Sequence, residues 1–187
     1  GLRVGAMMCQ RTTDAVAFFM AHKGFTILNY IDDLLGVCKG GPAADKSFKE
    51  LGLVLNKLGL QEVEDKAEGP ATCIKWLGIE LDTDRMEMRI PESKLMEIKS
   101  EVREWLGVTR ASKRQIQSLL GKLIYISKCV KPARLYLNRI IASLTGNPGS
   151  EILVDHDFQM DLHWFHSLLM RFNGVSLIED RKSTRLN

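Results

Sequence analysis

The sequence predicts an α+β fold: a partial ferredoxin-like split unit lacking its first strand, followed by a helical region. Three observations predict it. Up to Pro91 the apolar pattern switches between helical and alternating periods in the order α-β-β-α-β, with one further strand. A single strand added in front would complete β-α-β-β-α-β. Beyond Pro91, amphipathic helices follow one another without a strand pattern. At 187 residues, 45% hydrophobic and 26% charged, the chain can bury a sizeable core.

Each element has its own signal. "CQRTTDAVAFFMAH", Cys9 to His22, reads as a helix stopped by Gly24. "FTILNYI" is rich in strand formers and "LLGVC" makes a second short strand, which leaves Asp32 and Asp33 for the turn between them. "DKSFKELGLVLNKLG" carries a helical stripe of Phe48, Leu51, Leu55 and Leu58, ended by Gly59. "TCIKWLGIELD" reads as a strand, "DTD" as a turn and "RMEMRI" as an alternating partner strand. After Pro91, Leu95, Ile98, Val102 and Trp105 share one helical face. Ser112 with Gln115 forms a capping-box pattern for a helix carrying Ile116, Leu119, Leu120, Leu123 and Ile126. Pro132 suits the first turn of another helix, through Leu137, Ile140, Ile141 and Leu144. A last helix carries Phe158, Leu162, Phe165 and Leu169 and stops at Asn173-Gly174.

Composition excludes several classes. No apolar run is long enough to span a membrane. Cys9, Cys38, Cys73 and Cys129 form no C-x-x-C pair, which points away from a zinc knuckle or a disulfide framework and towards a reducing setting. With no targeting signal visible, an intracellular location (cytoplasm or nucleus) is expected. His156, His163 and His166, with Asp155, Asp157 and Asp161, do not complete a zinc set and read as surface polar residues. Opening on "GLRVG" without an initiator Met, the chain reads as a fragment. Its end, "DRKSTRLN" (180–187), resembles the translation of a sequencing-adapter oligonucleotide; leaving it out lowers the net charge from +3 to +1.

The near-neutral total hides an asymmetry. Between Trp105 and Ser150 there is no acidic residue but eight basic ones: Arg110, Lys113, Arg114, Lys122, Lys128, Lys131, Arg134 and Arg139. On the helix from Ser112, Arg114, Ser118 and Lys122 recur every four residues, and Gly121 lets a phosphate backbone approach. Such a segment suits sequence-independent attraction to a duplex, or else is a solvated basic face.

The sharpest motif is Tyr30-Ile31-Asp32-Asp33. Paired carboxylates repel, and a hard divalent cation relieves that repulsion. Aspartate is also a favoured turn residue, so the pair alone is weak. Its place in a hairpin within this element order makes it a candidate metal site of the two-ion kind that serves phosphoryl transfer. Neighbouring strand residues point to opposite faces, which gives the two aspartates different roles.

Taken in order, "GLRVGAMMCQRTTDAVAFFM", "YIDD", "LGLQEVEDK" and "IKWLGIELD" resemble the later half of a retroelement reverse transcriptase. The run "KRQIQSLLGKLIYISKCVKPARLYLNRIIASL" with "DLHWFHSLLMRFNGVSLI" resembles the tyrosine-recombinase (DIRS-type) retrotransposons. The resemblance implies that 1–90 is the C-terminal part of a polymerase palm, with the YIDD hairpin and a primer-grip hairpin. Residues 91–146 would be the helical thumb and 147–179 a connection towards an RNase H-like domain.

It also implies residue roles. Asp32 and Asp33 match the metal-binding catalytic pair. Gly1 matches a glycine against template and incoming nucleotide, and Gln10 with Arg11 a pair on the following helix, which otherwise is a solvated face. Tyr30 falls near the nucleotide pocket, or simply packs on the sheet. Lys66 matches a lysine by the triphosphate, and otherwise is a loop lysine. Trp76, Leu77 and Gly78 match the primer grip, where Trp76 also suits a core. Arg114 and Lys122 would hold template-primer. The implied activity is RNA-directed DNA polymerisation, adding dNTPs to a primer 3′-OH with two Mg²⁺ ions, which Mn²⁺ can replace. A further catalytic carboxylate would sit on the absent strand, so the fragment is expected to be inactive alone. The alternatives are a non-catalytic nucleic-acid-binding remnant and a protein-interaction remnant.

Overall fold

A computed structural model describes residues 4–60, 67–145 and 151–172 and the backbone of 175–176. The chain divides into two compact units, Gly1–Leu77 and Gly78–Asn187.

In the first unit, helix α1 (Gly5–His22) precedes an antiparallel hairpin of β1 (Thr26–Tyr30) and β2 (Asp33–Val37), then α2 (Gly41–Lys57) and β3 (Cys73–Trp76). Pairing runs from Thr26 opposite Val37 to Tyr30 opposite Asp33. Residues directly opposite share a face. Ile27 with Gly36 and Asn29 with Leu34 therefore form one face, and Tyr30 with Asp33 and Leu28 with Leu35 the other. Val16, Met20, Ile27 and Val54 make a small core, lined by Phe25, Leu34, Leu51 and Leu55. At Gly36 a Cβ would make ordinary contact with Ile27 and with Ser47 of α2, both at 3.6 Å. The stripe expected on α2 is rotated: Ser47 and Val54 are buried, whereas Phe48 and Leu58 are exposed.

In the second unit, β4 (Ile79–Asp82), β5 (Glu87–Arg89) and β8 (Val175–Ser176) pair antiparallel. Helix α3 (Glu92–Trp105), β6 (Arg110–Ala111) and α4 (Lys113–Ile126) come next, then a 3-10 helix (Lys131–Leu137) and α5 (Asn138–Ser143). β7 (Ile152–Leu153), paired with β6, and α6 (His156–Arg171) complete it. The expected stripes of α3 and α6 are all buried. Both bonds of the Ser112–Gln115 capping box are present. With Pro132 in its first turn, the following helix runs as 3-10 to Leu137, and an α-helix continues from Asn138.

Two element boundaries differ from the expected ones. "TCIKWLGIELD" is broken by a turn at Leu77-Gly78, where both residues have positive φ (50° and 78°). Asp82 accepts the backbone N–H groups of Asp84 and Arg85, so the next turn extends beyond "DTD" and β5 starts at Glu87. Ile79 and Ile90 share the core of the helices, so the compact unit starts at Gly78 and includes the strands before Pro91.

The aspartates of α6 are not uniformly surface residues. Asp155 caps the helix by accepting the Phe158 N–H at 2.9 Å. Asp161 is only 4% exposed. One of its carboxylate oxygens has no hydrogen-bond partner, and the other lies 3.8 Å from Arg139. Burial raises its pKa, against the pull of Arg139. A raised carboxylate pKa favours folding at low pH, and that advantage is lost as pH climbs from the ordinary value through the folded one. Asp161→Asn is therefore expected to unfold within about 0.5 kcal/mol of the parent at pH 3 and to be the more stable of the two at pH 7, in denaturant titrations at both pH values.

Candidate functional site

The carboxylate pair sits at the tip of the β1–β2 hairpin, with the reversal one residue earlier than expected. Ile31 and Asp32 form the turn, and Asp33 is already the first residue of β2. Ile31 has φ 53°, a conformation costly for a β-branched residue (about 1–3 kcal/mol).

Helix α1 holds that turn in place. The Gln10 Oε1 accepts the Ile31 N–H at 2.7 Å, and the Thr13 hydroxyl donates to the Ile31 carbonyl at 2.7 Å. The Cys9 thiol approaches the same carbonyl at 3.5 Å. Below the tip, Asn29 donates to Asp14 at 2.7 Å and to Thr13 at 3.2 Å, while Gln10 donates to Asp14 at 2.8 Å. The hydrogen bonds from Asn29 and then Gln10 keep the Asp14 carboxyl below its ordinary pKa, so it stays an acceptor. Gln10 is thus part of a clamp and not an idle helix face. Thr13, Asp14 and Asn29 escaped the sequence reading. Their signal was polar residues at i, i+3 and i+4 of a helix, next to its buried stripe.

Removing the Thr13 hydroxyl leaves the Ile31 carbonyl short of its donor. Thr13→Val is expected to cost about 1–2 kcal/mol in urea unfolding, against about 0.5 kcal/mol or less for Thr12→Val, which faces solvent.

The side chains of Asp32 and Asp33 are exposed and make no hydrogen bond or ion pair with a described residue. Tyr30, 54% exposed, lies on the same hairpin face as Asp33. Two unpaired carboxylates are the hard-oxygen donors that a divalent ion takes. Among the described residues no third His, Cys, Asp or Glu joins them. β1 and β2 pair only with each other, leaving the outer edge of β2 open among the described residues. Gly1 and Lys66 lie outside the described residues, as do Asn173, Gly174 and 180–187.

Trp76 is half-buried at the end of β3, and its indole N–H has no hydrogen-bond partner among the described residues. Leu77 and Gly78 form the left-handed turn after it. The Tyr125 hydroxyl on α4 donates to the Gly78 carbonyl.

The basic segment is less free in space than in sequence. Lys122 pairs with Glu101 and, at 3.3 Å, with Glu97, both on α3. Arg139 faces Asp157 and Asp161, and Arg110 lies 4.0 Å from Glu151. Lys113, Arg114, Lys128 and Arg134 are exposed and form no ion pair with a described residue. Lys128 lies 5.6 Å from the centre of the Tyr125 ring. Ser118 and Gly121 are exposed between these cations, with open space above Gly121.

No protein-family model and no curated protein sequence matches the chain. Solved structures do. The chain superposes on a foamy viral protease-reverse transcriptase (dRH) in complex with double-stranded DNA at TM-score 0.69 and 14% identity, over 96% of this chain. It superposes on the foamy viral protease-reverse transcriptase in complex with an RNA/DNA hybrid at TM-score 0.64 and 14% identity, over 88% of this chain. The fold is that of a reverse-transcriptase segment. This chain spans 30% and 21% of those two neighbours. The α+β class expected from the element order holds. Among the described residues no helix is long and apolar enough to cross a membrane.

Proposed function

We propose that this chain is the later part of a polymerase palm with its helical thumb and the start of a connection, from a retroelement reverse transcriptase of the DIRS type. One observation carries the reading: two unpaired carboxylates at a hairpin tip that α1 holds in a costly backbone conformation. Strain maintained by dedicated side chains is a mark of a functional site. The reverse-transcriptase-like fold supports it.

In the intact enzyme a primer 3′-OH would attack the α-phosphate of a dNTP and release pyrophosphate. Asp32 and Asp33 would supply carboxylate oxygens to Mg²⁺, with a further carboxylate from another strand of the palm. Bound Mg²⁺ supplies charge neutralisation for the attacking and leaving oxygens. Tyr30 would border the nucleotide on the Asp33 face. Gly1 would lie against template and nucleotide, and Lys66 would stabilise the leaving pyrophosphate. Trp76, Leu77 and Gly78 would hold the primer terminus. Arg114, with Lys113 and Lys128, would hold the duplex backbone, while Lys122 is drawn towards α3.

A second reading, a nucleic-acid-binding remnant, is favoured by the absence of a third carboxylate beside Asp32 and Asp33 among the described residues. Fluorescence anisotropy with labelled duplex across a salt series tests what both readings share. Salt-dependent binding is expected, and no binding at low salt would leave a protein-interaction role. Mg²⁺-dependent extension by a polymerase carrying this chain separates the two.

A further inference from the structure

Tyr125 stands 47 residues from Gly78 in sequence, yet its hydroxyl donates to the Gly78 carbonyl. A Cβ on Gly78 would come within 3.4 Å of the Tyr125 hydroxyl and 3.5 Å of its ring. Gly78 also has φ 78°, a backbone conformation that disfavours any side chain. The turn therefore favours glycine, and a Cβ there would rest in ordinary contact with the tyrosine. Burial raises the Tyr125 pKa, so its hydroxyl remains a donor at neutral pH. On α4, Tyr125 follows Gly121 by one turn and precedes Lys128, whose ammonium lies over its ring. The same side chain thus touches the turn and flanks the exposed face of α4.

We propose that Tyr125 is a positioning residue, whose hydroxyl holds Gly78, just before β4, against α4 so that a duplex held on the basic face of α4 has its 3′ end set at Gly78. This rests on the nucleic-acid-binding reading above. A cation on α4 senses phosphate anywhere along a duplex. In the primer-terminus role proposed above for Gly78, the turn meets only an end, so the hydrogen bond affects end recognition and leaves general affinity alone.

The test compares Tyr125→Phe with the parent chain on two ligands of equal length and charge. One is a DNA duplex with a recessed 3′ end, the other a duplex closed at both ends by hairpin loops. The parent is expected to prefer the recessed end. Phenylalanine keeps the ring and the lysine contact, so binding to the closed duplex should stay within about twofold. The preference for the recessed end should drop about five- to tenfold, the size of one lost hydrogen bond. Gly78→Ala, which strains the turn that presents the carbonyl to Tyr125, should lower the same preference.

A preference unchanged by Tyr125→Phe overturns the proposal. So does a parallel loss on both ligands that tracks a lower unfolding temperature, which would mark a purely structural contact. A parent chain that binds duplex without any end preference also overturns it, while leaving the nucleic-acid-binding reading intact. A parent chain that binds neither ligand removes that reading and the proposal with it.

Discussion

Asp32→Asn, introduced into a polymerase that carries this chain, is expected to lower primer extension by more than about 100-fold without changing duplex affinity. Loss of a group that merely supports a metal ligand already costs about 10- to 100-fold, and Asp32 is proposed as a ligand itself. Asparagine keeps the size and the turn propensity of aspartate, so the hairpin should persist. Asp32 makes no hydrogen bond or ion pair with any described residue, so the change takes nothing from the fold that these contacts would supply. Duplex affinity should hold because the unpaired cations lie on other elements. The measurement is single-turnover extension of a labelled primer, with anisotropy titration of the same duplex. Extension at the parent rate would remove Asp32 from the site.

The second large effect concerns binding. Reversing Lys113, Arg114 and Lys128 to Glu is expected to weaken duplex binding about 10²–10³-fold at 0.1 M salt. Each phosphate neutralised contributes a slope of about −0.9 to log K against log salt, so three contacts contribute about 2.7 decades at that concentration. The salt slope should flatten by about 3. Lys122→Met is the informative contrast. Lys122 is held by Glu97 and Glu101, so its loss should shift unfolding more than the salt slope. Equal effects of Lys122→Met and Lys113→Met on that slope would show that α3 releases Lys122 to the nucleic acid.

Features that depend on local periodicity were legible in the amino-acid sequence. The buried stripes of α3 and α6 are those the spacing predicted, because a helix turns at a fixed angle per residue and its apolar face needs no distant information. The capping box at Ser112 was legible for the same reason, since its donors and acceptors lie three residues apart. The Asp32-Asp33 motif could be read as carboxylates at a hairpin tip, but the turn itself fell one residue earlier. Ile31 is a poor candidate for positive φ, and Gln10, Thr13 and Cys9, well upstream on α1, stabilise it there.

Tertiary structure alone decided which charges are free. A segment without acidic residues in sequence receives glutamates from α3 and aspartates from α6. Coulomb attraction depends on distance in space, not along the chain. The same holds for Asp161, which reads as surface polarity until α5 and the core close over it. It holds too for Tyr125, whose partner Gly78 lies in a turn that no pattern on α4 announces. Periodicity shows which face of an element is buried. Only packing shows what covers it, and therefore which polar groups remain available for chemistry.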